Sequence, residues 1–313
     1  MKILIILTTF NGEQFIYEQL TSILNQKYVD IEVFIFDDCS IDNTINIIQS
    51  INDSRIIIYK NKIPSGSAGA NFLNAIKSIP TNKLASFDYI SFSDQDDIWY
   101  SNKLYDACNL LSLKNSELYC SNLLLWNQFN DTHILLKKDY KQKRYDFLFE
   151  GASAGCTYLL THNLFNNFKN YLINTNIQYW PFISHDWLIY FYSRLNGFKV
   201  IIDAEPKIVY RIHQNNVHGQ LNINSISSYF NRLKYVLNGW YFNQISNLIT
   251  LTKEGSVEKY IYEYYSKNWF TRVFILFQFN FSLIRSKKKF LQFVLISLIP
   301  RFNYSTTFKH NKI

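Results

Sequence analysis

The chain has 313 residues, enough for one large domain or two modest ones around a sizeable core. Hydrophobic residues make up 48% and charged residues 18%, with only 9 Gly and 5 Pro, which excludes disordered, collagen-like and low-complexity chains. The net charge of +8 lies wholly in the last fifth: residues 1–252 carry 21 basic and 21 acidic side chains, residues 253–313 carry 11 and 3, and none is acidic after Glu263. Such asymmetry points to an anionic partner for the tail.

Ile3–Leu7 is a short unbroken apolar run, as in a strand buried on both faces. It lacks the following small-residue cleavage site of a secretory signal. Residues 13–26 predict a helix with Phe15, Leu20, Ile23 and Leu24 on its apolar side. Ile31–Phe36 predicts a second strand, and Asp42 an N-cap for a helix carrying Ile45, Ile47, Ile48 and Ile51. Arg55–Tyr59, a helix over 69–78 after the turn PSGSAG, and Tyr89–Phe92 continue the alternation. A helix over 102–113 follows, then strands near 118–126, 133–137 and 156–160, a helix holding His185-Asp186-Trp187, and strands near 198–202 and 207–212. Beyond about 220 the chain reads as helical and aromatic-rich. Strand–helix alternation predicts an α/β fold, a mostly parallel central sheet with helices on both faces, plus a helical C-terminal extension.

Ligands of such sheets bind beyond the carboxyl ends of the strands. Three polar clusters sit there: Thr8-Thr9-Phe10-Asn11, Asp37-Asp38, and Asp94-Gln95-Asp96-Asp97. Three carboxylates in four residues repel one another, and a hard divalent cation, Mg²⁺ or Mn²⁺, supplies the compensating charge. Asp38 suits either a pyrimidine N3–H or a backbone amide. Neither GxxxxGK[ST] nor a GxGxxG after the first strand is present, which excludes a P-loop NTPase and disfavours a dinucleotide enzyme. The four cysteines (Cys39, Cys108, Cys120, Cys156) form no CxxC pair and read as reduced thiols.

The segments TTFNGEQFIYEQLTSILNQ, FDDCSIDNT and SDQDDIW, followed by SHDWLIYF and YRIHQNNVHG, resemble family 2 glycosyltransferases of the GT-A (Rossmann-like) fold, in particular their bacterial rhamnosyltransferase-like branch. The resemblance covers about residues 1–220, taken as the catalytic domain, with 221–313 as a basic, aromatic C-terminal region. It implies inverting transfer of a sugar, rhamnose from dTDP-rhamnose, to an O-antigen or capsule precursor. A UDP-hexose donor and a non-catalytic nucleotide-sugar-binding scaffold are the rival readings. Carried residue by residue, it places Thr8, Phe10, Asn11, Glu13, Asp38, Asp94 and Arg211 at the nucleotide sugar. Phe10 stands where relatives commonly have Tyr. Asp96 is the metal ligand, with Asp94 and His213 beside it, although His213 equally fits a structural role in a closing loop. Asp186 is the catalytic base. Gly155, Cys156, His185 and Trp187 line the acceptor pocket, with a helix-surface histidine as the plain alternative for His185. The implied partners are a dTDP- or UDP-linked sugar and a lipid-linked glycan acceptor, with no nucleic acid.

The tail holds two apolar runs, Val273–Ile284 and Phe290–Ile299, both too short to span a bilayer, with Arg285-Ser286-Lys287-Lys288-Lys289 between them. Basic side chains beside apolar faces suit an interfacial helix on an anionic membrane, here the inner face of the cell membrane. A helix packed on the catalytic domain is the alternative.

Overall fold

The computed structural model describes residues 1–175, 184–213 and 240–299. The chain forms two compact units, one of residues 1–140 with 150–221, the other of residues 141–149 with 222–313.

In the first unit the main sheet comprises β1 (Lys2–Thr9), β2 (Asp30–Asp37), β3 (Ile56–Lys60), β4 (Tyr89–Ser93), β6 (Leu118–Ser121), β9 (Leu159–Thr161) and β10 (Val200–Asp203), in the order β10-β6-β9-β4-β1-β2-β3. Every pairing is parallel except those of β9, which runs against both β4 and β6. Residues Ile3 to Leu7 are fully buried, because helices cover both faces. Ile3, Ile5 and Leu7 pack with Ile16, Leu20 and Ile23 of α1 (Ile16–Leu24), Ile48 of α2 (Thr44–Ser50) and Leu104 of α5 (Lys103–Lys114). On the opposite face Phe92 meets Phe72 of α3 (Ala68–Ser78) edge-on and Phe165 of α6 (His162–Asn174). Each such side chain contributes about 1.5–3 kcal/mol by leaving water.

A second sheet has the order β5-β11-β7-β8, from β5 (Ile98–Trp99), β7 (Leu123–Asn127), β8 (Thr132–Leu136) and β11 (Ile208–Ile212). The run expected as one strand over 118–126 is therefore two, β6 in one sheet and β7 in the other. Asn122 makes the break: its amide donates to Asp139 and to the Ala204 carbonyl, and its carbonyl accepts from Asp139 N. The strand expected at 156–160 is a 3₁₀ turn, Gly155–Thr157, followed by β9. Helix α6, unexpected from the sequence, is capped by Thr161, whose hydroxyl accepts from Leu164 N. A short helix α4 (Thr81–Leu84) precedes β4, and α7 (His185–Leu195) carries the HDW segment. Asp42 is not the N-cap of α2. That position is Asn43, and Asp42 instead accepts from Thr44 N and Glu13 N.

The second unit contains helices α8 (Trp240–Leu248), α9 (Val257–Lys267), α10 (Trp269–Phe279) and α11 (Lys287–Ser297) among its described residues. None of the described helices is long and apolar enough to cross a membrane. The 141–149 segment lies within this unit. Phe149 packs against Tyr265 and Phe293, Tyr262 donates to the Leu148 carbonyl, and Asp146 pairs with Arg285 at 3.4 Å, both fully buried. Removing one partner of a buried ion pair strands the other in low dielectric, at a cost of about 3–5 kcal/mol. Asp146→Ala is therefore expected to destabilise the second unit by about that amount, read as a lowered midpoint in urea denaturation followed by tryptophan fluorescence. An unchanged midpoint would remove the pair from the account of stability.

Candidate functional site

The acidic run is the bridge between the two sheets. β4 ends at Ser93, Asp94 to Asp97 follow, and β5 begins at Ile98. β11 pairs antiparallel with β5, Ile208 opposite Trp99 and Val209 opposite Ile98, so its continuation lies along the run. Arg211 N donates to Asp97 Oδ1 at 3.3 Å and Arg211 Nε to the Asp96 carbonyl at 2.9 Å. His213 Nε2 lies 2.8 Å from Asp96 Oδ2, and its ring packs on Phe15 at 4.5 Å. The remainder of the YRIHQNNVHG segment, from residue 214, lies outside the described residues.

Gln95 fastens the run to the end of β1. Its carbonyl accepts from Thr9 Oγ1 at 2.7 Å and Phe10 N at 2.9 Å, and its amide donates to the Phe10 carbonyl. A Cβ at Gly12 would collide with this amide, so the close approach requires glycine. Thr8 is buried beside Phe36 of β2, while the Phe10 ring is half exposed. Asn11 and Glu13 join the loop after β1 to the loop after β2. Asn11 adopts φ +48°, its carbonyl accepts from Ile41 N, and Glu13 Oε2 accepts from Asn43 N. Asp38 Oδ1 accepts from Asn61 Nδ2 and Ser65 N, both at 2.7 Å, so the amide alternative for this oxygen is realised.

The carboxylates differ in environment. Burial, then the charges of Asp96 and Asp186, push Asp94 up to about 7. Asp186 is thus within electrostatic reach of Asp94. Burial, with Asp96 and Asp94 close by, raises Asp97 well above the carboxylate range, and its Oδ2 has no hydrogen-bond partner among the described residues. One ligand atom each from Asp94, Asp97 and Cys156 falls within 4.8 Å of the others. The ligand atoms gathered here are therefore those of Asp94 and Asp97 beside the Cys156 thiol, whereas Asp96 Oδ2 faces His213; two close carboxylates with one orphaned buried oxygen suit a hard divalent cation, and the thiol is a softer donor.

Asp186 stands in the first turn of α7, whose N-cap is Ser184. Its Oδ1 accepts from Trp187 N at 2.6 Å and from the Ser184 hydroxyl. His185 is not on the helix surface: it is buried and stacks on Phe72 at 4.0 Å. A Cβ at Gly155 would run into the His185 ring, whereas one at Gly151 would only touch Trp187. His185 and Trp187 are thus packed in the unit's interior, with Gly155 and Cys156 against them or against the carboxylates.

Arg211 is only 3% exposed, and its guanidinium is engaged by Glu18 Oε2 at 2.6 Å and lies between the Phe15 and Trp126 rings. Sequence reading did not single out Gln95, Glu18 or Lys103. Gln95 was visible inside the acidic run, but an amide between carboxylates carries no signal of its own. Lys103, at the start of α5, is buried with Nζ 3.5 Å above the Trp99 ring.

Burial lowers the Lys103 amine to about 7, against the pull of Cys156 and Asp97. Below about pH 7 the amine is charged in both folded and unfolded states, and the full penalty of burying that charge is present. Between about 7 and 10.5 the unfolded chain alone holds the proton, so stability from this group rises with pH. Lys103→Met is expected to be most stabilising relative to the parent below pH 7, with the difference shrinking towards pH 10. Urea denaturation across that range checks it, and a difference that grows with pH would refute the buried-amine account.

Comparison with known proteins places these features in context. The model of the family "Glycosyl transferase family 2" matches residues 4–165. The chain is 36% identical over 298 residues to the dTDP-rhamnosyl transferase RfbG of Shigella flexneri, covering 94% of this chain and 99% of that protein. It is 35% identical over 125 residues to the UDP-Glc:alpha-D-GlcNAc-diphosphoundecaprenol beta-1,3-glucosyltransferase WfaP of Escherichia coli, 40% of this chain and 47% of that one. Among solved structures, S. aureus TarS 1-349 in complex with UDP-GlcNAc superposes with a TM-score of 0.56 at 17% identity, over 95% of this chain and 79% of that one. At that identity the likeness concerns the fold, which is the GT-A arrangement.

Proposed function

The chain belongs to glycosyl transferase family 2, and from that premise we propose that it moves rhamnose from dTDP-rhamnose, with inversion, to a lipid-linked precursor of a bacterial surface polysaccharide at the inner face of the cell membrane. The observation that carries the donor assignment is the match to a dTDP-rhamnosyl transferase along nearly the whole of both chains. A UDP-hexose donor is the second reading, favoured by the shorter match to a UDP-glucose enzyme whose named acceptor is a diphosphoundecaprenol-linked sugar. A non-catalytic scaffold would have no use for Asp94, Asp96 and Asp186 together.

Under this reading Thr8, Phe10 and Asp38 hold the base at the ends of β1 and β2, with Phe10 offering its exposed ring face. Asn11 and Glu13 shape that pocket by joining its two loops. Asp94 meets the donor, and Asp96, flanked by Asp94 and His213, holds the divalent cation. When bound, that cation acts as a Lewis acid on the diphosphate leaving group. Arg211 has its guanidinium committed to Glu18 and the Asp96 carbonyl, so its part is to fix the acidic run. Asp186, with Oδ1 secured by Ser184 and Trp187, presents Oδ2 to the acceptor hydroxyl and takes its proton as the new bond forms. A single base opposite the leaving group gives one displacement and hence inversion. Gly155, Cys156, His185 and Trp187 form the wall behind the acceptor side.

The direct test is transfer from dTDP-rhamnose and from UDP-glucose to lipid-linked glycan in the presence of Mn²⁺. Transfer from UDP-glucose alone would give the second reading precedence, and transfer from neither would return the scaffold. Asp96→Ala is expected to abolish the Mn²⁺ dependence of donor binding in calorimetry. Binding that kept the same metal dependence would remove Asp96 from the metal site. Asp186→Asn is expected to retain donor binding while lowering turnover about 100-fold or more, because the amide is isosteric but cannot take the proton. Near-normal turnover would shift the search for the base elsewhere.

A further inference from the structure

The second unit carries a surface that the transfer chemistry leaves unexplained. Helices α10 and α11 form an antiparallel pair tied at both ends. Trp269 Nε1 donates to the Leu298 carbonyl at 2.8 Å, and the Phe281 and Phe290 rings meet at 4.6 Å. The inner faces are buried: Arg272, Ile275 and Leu276 from α10, Phe290, Phe293 and Ser297 from α11. The outer faces are apolar as well. Phe270, Phe274 and Phe277 recur at steps of four and three, the spacing of one helical stripe, and Phe277 is 83% and Phe270 78% exposed. Leu291 and Leu295, four residues apart, form a matching exposed pair on α11. Soluble surfaces rarely leave so many large side chains together in water.

Charge distinguishes what covers this face. Of the basic residues after Glu263, Arg272 and Arg285 are buried in the unit, whereas Lys287, Lys288 and Lys289 are exposed. These three occupy the first turn of α11, the end at which the helix dipole disfavours cations. No carboxylate occurs between residues 264 and 299. A second copy of the chain docked by the same patch would set lysine against lysine, since a two-fold interface is self-complementary. An anionic bilayer offers hydrocarbon for the phenylalanine and leucine stripes and lipid phosphate for the lysines.

We infer that the outer face of the α10–α11 pair lies in the plane of an anionic lipid bilayer, with Phe270, Phe274, Phe277, Leu291 and Leu295 at the acyl boundary and Lys287–Lys289 at the headgroups. This assignment goes beyond the transfer reaction and does not rest on it.

The test is flotation of the full chain with vesicles of phosphatidylcholine alone and of phosphatidylcholine with phosphatidylglycerol, at low and high salt. The parent protein floats with the anionic vesicles, and less so at high salt, because salt screens the lysines. K287Q/K288Q/K289Q weakens partitioning by about fivefold per lysine at low salt. F274S/F277S loses about tenfold or more on anionic vesicles at either salt. All five side chains are exposed. Unchanged thermal midpoints, measured without donor, establish that the variants fold. Three outcomes overturn the inference: no flotation of the parent, flotation of both variants at the parent level, or a dimer of the parent in size exclusion that F274S/F277S converts to monomer.

Discussion

Three carboxylates confined to four residues repel one another, and the first unit is arranged around containing that repulsion. The run passes from β4 into β5, where the second sheet begins. β11 then returns along it and brings a cation and an imidazole to the same stretch. Arg211 itself is steadied by Glu18 and by two aromatic rings, so the residue that grips the run through the Asp96 carbonyl is fixed in place. What remains uncompensated, chiefly at Asp94 and Asp97, is a local demand for positive charge. Preorganised electrostatics of this kind cost little at the moment of reaction, because the groups need not move.

The strands of the main sheet were legible because burial on both faces leaves an unbroken apolar run, as in Ile3–Leu7 and Ile31–Phe36. The strand-end clusters were legible because the fold class dictates where ligands sit. The second sheet was not. Its strands are short, β5 spans only two residues, and β6 runs into β7 through an apolar sequence interrupted only by Ser121 and Asn122. Only tertiary hydrogen bonds reveal that Asn122 ends one sheet and starts another. Helix α6 was obscured by composition, because Leu164, Phe165, Phe168 and Leu172 carry a helical period among many asparagines.

At the candidate site, residue types that announce chemistry carry a signal in the sequence, and residues that hold them in place do not. Asp94, Asp96, Asp186 and His213 are titratable and were weighed for that reason. Gln95 and Glu18 act through hydrogen bonds to partners 85 and 193 residues away, and such pairings have no local signature. His185 and Arg211 are residue types that suggest ligand contact, and the fold adds what the sequence could not show: one stacks on Phe72 and the other lies by the Phe15 and Trp126 rings.

The 141–149 segment gives the second unit a discontinuous pedigree. The polypeptide leaves the first unit, contributes Asp146 and Phe149 to the interior of the second, returns for residues 150–221, and leaves again. The C-terminal helices are therefore no interchangeable cassette. A graft of residues 222–313 onto another enzyme would arrive with Arg285 deprived of its buried carboxylate and Tyr262 of its carbonyl acceptor. Recombination between relatives can exchange this region intact only when both pieces travel together, so the two stretches are bound to co-inherit their changes.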